Sequence, residues 1–128
     1  MSLLIDTNVL VDLLRGREQG LHLLEPDRDP LMVSVITVQE VYAGMRSGEE
    51  EMTETMLSGF ELVPFGAEEA RLTGGWWSEY RQRGITLDLR DLAIAAAAVV
   101  RGVPLATGNV KDFPMPELRV EQWPPPPV

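Results

Sequence analysis

DLRDLAIAAAAVVRGVPLAT, residues 88–107, reads as a buried helix running straight into a buried strand. Asp88 is a good cap and Asp91 stands three residues on, the spacing of a capping box. Leu92 to Val100 is unbroken apolar sequence, so past its first turn this helix has no polar face to show to water. The run is too short to span a bilayer. Gly102 closes the helix, and Val103 to Thr107 is strand-like. Asp88 suffices as the cap, which leaves Asp91 free to face a cleft.

Outward from this segment the chain keeps alternating. Residues 2 to 5 read as a buried strand and Asn8 to Arg15 as an amphipathic helix, with a second short helix from Glu18 to Leu24. Glu25 to Pro30 is a turn-rich loop. Leu31 to Val35 is a second strand, Thr37 to Arg46 a helix, Ser47-Gly48 a break, and Glu49 to Leu57 an acidic helix. Phe60 to Phe65 is a third strand. Ala67 to Arg83 is helical, with Gly74-Gly75 expected to weaken or bend it. Leu118 to Val120 is a short edge strand. Strands alternating with helices predict a three-layer α/β/α domain with a mostly parallel central sheet over residues 1–123, followed by a proline-rich tail at 124–128.

In such sheets ligands bind outside the carboxyl ends of the strands. Asp6 follows the first strand, Glu40 lies on the helix after the second, Asp91 is in the first turn of its helix, and Asp112 follows the fourth strand by a short loop. Acids at the edges of buried elements are unfavourable unless paired, hydrogen-bonded or bound to a cation. Each has a plain alternative reading. Asp6-Thr7-Asn8 caps a helix, Glu40 is an exposed helix acid, and Asp112 before Phe113-Pro114 is a turn former. Their joint position at strand ends favours a shared site. Cysteine is absent and His22 is the only histidine, so the donors suit magnesium or manganese rather than zinc.

The net charge of −9 argues against a polyanion partner, and setting the four acids aside still leaves −5. The sign is uneven, however. Residues 40–61 carry six glutamates against Arg46, whereas Arg71, Arg81, Arg83, Arg90 and Arg101 lie between residues 71 and 101. Any contact with nucleic acid falls to the arginine-rich half. Trp76, Trp77 and Tyr80 stack on bases or, at helical spacing, pack a core or dimer contact. Trp123 packs the chain end. The start lacks a basic leader and is interrupted by Asp6, which predicts no signal peptide, and the absence of disulfides suits a reducing cytoplasm.

Leu4-Ile-Asp-Thr-Asn-Val-Leu10, Ser34-Val-Ile-Thr-Val-Gln-Glu-Val-Tyr-Ala-Gly44, Asp91-Leu-Ala-Ile-Ala-Ala96 and Thr107-Gly-Asn-Val-Lys-Asp-Phe113 resemble, in order, the signatures of PIN-domain ribonucleases. Order and spacing are most similar to the VapC toxins of bacterial toxin–antitoxin pairs, from about Leu3 to Trp123. The resemblance implies an α/β/α domain, a homodimer, RNA cleavage with magnesium or manganese, and inhibition by a VapB-type antitoxin. It assigns Asp6, Glu40 and Asp91 to the acidic core and Asp112 to a fourth position that varies more within the family. Thr7, Asn8, Thr107 and Asn109 are the supporting polar residues. A carboxylate-held cation favours attack by water, leaving a 5′-phosphate and a 3′-hydroxyl. Two other readings stand beside this one: a phosphoryl-transfer enzyme with Asp6 as nucleophile, although Asn8 occupies the place of its second acid, and a catalytically idle scaffold that binds only a protein partner.

Overall fold

The computed structural model describes residues 2–17 and 29–125. The short helix expected at Glu18–Leu24, His22, most of the loop after it and the last three residues of the tail lie outside these. Leu3–Ile5 forms β1, Thr7–Leu14 α1, Leu31–Ser34 β2, Val35–Ala43 α2 and Glu50–Leu57 α3. Glu61–Val63 forms β3, Ala67–Gln82 α4, Leu89–Arg101 α5, Leu105–Thr107 β4 and Val120–Gln122 β5, with a 3-10 turn at Val110–Asp112. The sheet has the order β3-β2-β1-β4-β5, and all its pairings are parallel.

Alternation along the short strands builds two cores. Leu3, Ile5, Leu31, Val33 and Ala106 point to one face and pack with Val9, Leu10 and Leu13 of α1, Val41 of α2 and Leu57 of α3. Leu4 and Leu105 point to the other and meet Leu92 and Ile94 to Ala98 of α5 and Trp76 and Tyr80 of α4. Ala95, Ala96 and Ala98 are fully buried, and their small side chains let α5 lie close against the sheet. Gly102 ends α5 in the left-handed region at φ 69°, where only glycine sits without strain.

Some boundaries differ from the sequence expectation. Val35 opens α2 rather than ending β2, because the Ser34 hydroxyl accepts the Ile36 N–H at 3.1 Å and caps the helix there. α2 stops at Ala43 instead of Arg46. Gly74-Gly75 does not interrupt α4, since buried Thr73, Trp76 and Tyr80 hold its inner face and tertiary packing outweighs intrinsic propensity. The edge strand is Val120–Gln122, not Leu118–Val120. Leu118 turns into the core instead, and pairing with Leu105–Thr107 sets the register two residues further on.

β1 occupies the middle of the sheet. From it the chain moves outward through β2 and β3, then returns across to β4 on the opposite side. The strand order therefore reverses between β1 and β4, the point where such sheets form a crevice beyond the carboxyl ends.

Candidate active site

Asp6 leaves β1 directly into that crevice and caps α1. Its side chain is only 5% exposed. Oδ1 accepts the Thr7 N–H at 2.8 Å, and Oδ2 accepts the hydroxyl of Thr107, at the end of β4, at 2.7 Å. The capping role and the site role are thus one arrangement. Burial raises the Asp6 pKa above the usual carboxylate range, the bonds from Thr107 and Thr7 oppose the rise, and the charges of Glu40 and Asp112 add to it.

Glu40 reaches the same place from the middle of α2. Its Oε1 accepts the Thr7 hydroxyl at 2.7 Å, and the buried Thr37 hydroxyl lies 3.1 Å from that of Thr7. Thr37 stands one helical turn before Glu40, on the same face. It sits inside a quoted motif without having been singled out, and that spacing was the available signal.

Asp91 projects from the first turn of α5, half-buried. Its pKa is pushed up to about 6, first by desolvation and then by the negative charges of Asp88, Asp6, Asp112 and Glu40. These couplings place all the predicted acids in one electrostatic neighbourhood. Among the described residues no three acids are gathered as a ready-made metal cage. Asp112 lies at the end of the 3-10 turn, half-buried, with its backbone N–H on Asn109 O at 2.9 Å.

Asp88 is the cap of α5, its Oδ1 accepting the Arg90 N–H at 2.7 Å and the Asp91 N–H at 3.4 Å. The Arg90 guanidinium bonds back to Asp88 and holds its pKa below the ordinary value. Arg90 also stands 3.7 Å from Glu40 Oε2. Sequence reasoning counted Arg90 in the basic half without placing it at the site. Of the supporting polar residues, Thr7 and Thr107 bond directly to the acids. Asn109 contributes its backbone N–H to Thr107 Oγ1 at 3.0 Å, while its side chain and that of Asn8 are exposed and make no hydrogen bond among the described residues.

The aromatic residues belong mainly to the core. Trp76 is buried with its indole N–H on Glu117 at 2.7 Å, and Tyr80 is buried with Arg83 over its ring. Trp77 is half-buried beneath Arg81. Trp123 is buried at the chain end and donates to Asp12 at 2.9 Å, and Pro124 and Pro125 are exposed.

Both the sequence and the fold match known proteins. The chain belongs to the PIN-domain family, whose model covers residues 3–114. It is similar to ribonuclease VapC10 of Mycobacterium tuberculosis, with 36% identity over 88% of this chain and 86% of that protein. Among solved structures, VapBC2 from Rickettsia felis bound to a DNA fragment from its promoter superposes with a TM-score of 0.86, 25% identity, and 96% and 99% of the two chains covered. A toxin–antitoxin complex from Klebsiella pneumoniae follows with a TM-score of 0.76, 32% identity, and 91% and 94% covered. Among the described residues no helix is long and apolar enough to cross a membrane.

Proposed function

We propose that this chain is a magnesium- or manganese-dependent endoribonuclease, the toxin of a VapBC-type pair, acting in the cytoplasm as a homodimer. The observation that carries the reading is the pair of bonds Thr107–Asp6 and Thr7–Glu40, which tie acids from distant segments to the reversal point of a PIN fold. The ribonuclease names of its relatives supply the substrate class.

The donor chemistry fits a hard cation, because the crevice offers carboxylate and hydroxyl oxygens and no sulfur. Asp6 and Asp91 would hold it, with Glu40 and Asp112 completing the set directly or through water. A bound divalent cation activates water and offsets phosphoryl charge. Thr107 and the Thr7 backbone fix the orientation of Asp6, and the Thr7 hydroxyl fixes Glu40. An aspartyl-nucleophile mechanism lacks its second acid, since Asn8 stands two residues after Asp6. Retention of all four acids favours the nuclease over an idle scaffold.

Its antitoxin would lay an amphipathic helix over the hollow lined by Val11, Leu14, Val41 and Met45 and point a basic residue toward Glu40 at its edge. Two experiments test the reading. RNA cleavage with manganese should leave 5′-phosphate ends and vanish in chelator or in Asp6→Asn; full cleavage in either case refutes the mechanism. Antitoxin should bind more weakly at high magnesium, because both compete for the same carboxylates. Equal affinity at low and high magnesium, in a complex that still cleaves RNA, removes the carboxylates from the inhibitory contact.

A further inference from the structure

A chain of net charge −9 whose cleft is lined with acids repels the phosphate backbone it has to admit. A cation at the rim of the cleft would offset this. Among the described residues, Arg90 makes the one ion pair that reaches any of the site acids, at 3.7 Å from Glu40. Together with Gln39, Glu40 and Ala43 it lines a surface hollow between α2 and α5.

The two contacts of Arg90 are unequal. Nε and Nη2 grip the two oxygens of Asp88 at 3.4 and 3.2 Å, a side-on fork. Nη1 faces Glu40 at a distance too long for a hydrogen bond, and the side chain is 67% exposed. The guanidinium is therefore clamped on one edge, with its other edge turned to the cleft and loosely engaged. A planar, permanently charged group held this way suits a phosphate oxygen.

We propose that Arg90 is an RNA-binding residue whose Nη1 edge takes a backbone phosphate at the α2–α5 rim, with Asp88 as the positioning residue that aims it. The phosphate replaces the loose contact with Glu40 and leaves the Asp88 fork intact. This assignment rests on the ribonuclease reading and names the group that admits its substrate.

The test is fluorescence anisotropy with a labelled, phosphorothioate-substituted single-stranded RNA oligonucleotide, with manganese and with chelator, over a sodium chloride series. Arg90→Gln should weaken binding about tenfold. It should also lower the slope of log affinity against log salt by about 0.7, the value of one phosphate contact on a single strand. Arg90→Lys, which keeps the charge but loses the fork, should retain the slope and recover part of the affinity. Equal affinity and slope for Arg90→Gln and the parent protein overturn the proposal and leave the ribonuclease reading standing. So does a variant that loses only turnover, which makes Arg90 a support for Glu40 alone. A parent protein that binds no RNA in either condition overturns both.

Discussion

Replacing Asp91 by asparagine should stabilise the metal-free protein while abolishing cleavage. The Asp91 pKa stands at about 6 in the fold against an ordinary 3.8. At roughly 1.4 kcal/mol per pH unit this is at most about 3 kcal/mol against the ionised folded state. Solvent screening at a half-buried carboxylate cuts that to roughly 1–1.5 kcal/mol. The sign follows from linkage. A carboxylate with a raised folded pKa destabilises the fold in full above about pH 6 and is relieved as pH falls toward 3.8. Asp6, raised in the same direction, adds to this trend. The metal-free parent should therefore gain stability from pH 7.5 down to pH 4.5, a window above the range in which protonation of Asp88 would begin to act in the opposite sense. Asp91→Asn should have a flatter profile and melt higher by roughly 3–6 °C at pH 7.5, converging with the parent near pH 4.5. Thermal melts in chelator give this directly. Manganese at pH 7.5 should then raise the parent's Tm more than the variant's. A metal-free variant that melts below the parent at pH 7.5, or shows an unchanged pH profile, refutes the idea that mutual repulsion and burial strain this carboxylate.

Thr107→Val keeps the shape but strands Asp6 Oδ2 without its buried donor, and should lower stability by about 1–3 kcal/mol, read as a shift in denaturant midpoint at unchanged m-value. Asp88→Ala should lose about 1 kcal/mol with the α5 cap, whereas Asp88→Ser should keep the cap yet weaken RNA binding because the fork to Arg90 is gone; urea titration and anisotropy separate the two. Ala96→Leu should overpack the contact between α5 and the sheet and lower stability by about 1–3 kcal/mol, measured by thermal melting.

The layers and the parallel sheet were legible because strand and helix periodicities alternate along almost the whole chain, and the segment at 88–107 announces both. The boundaries were less so. Val35 looks like strand by side-chain type, but one serine hydroxyl bonded to Ile36 N–H decides for helix. Gly74-Gly75 looks like a weak point of the helix until Trp76 is seen buried on Glu117. Leu118 has the hydropathy of a strand residue, whereas the actual strand, Val120–Gln122, is half polar because it lies at an open edge. In the site, the acids were readable from their places at strand ends. Thr37 was obscured because its hydroxyl meets Thr7 of another helix, and its spacing from Glu40 hints at a shared face without showing that contact. Arg90 was obscured because its sequence neighbours Asp88 and Asp91 suggest a local surface pair, and only the approach of α2 brings Glu40 within reach.

The Asp6–Thr107 bond joins residues 101 positions apart, and β1 acquires one of its two flanking neighbours only when β4 is in place. No amino-terminal portion that stops short of β4 can assemble this crevice, however stable its helices are. During synthesis the crevice therefore cannot form until β4 has left the ribosome. Activity would then switch on at a late, single step of folding, set by the slow closure of a long-range pairing.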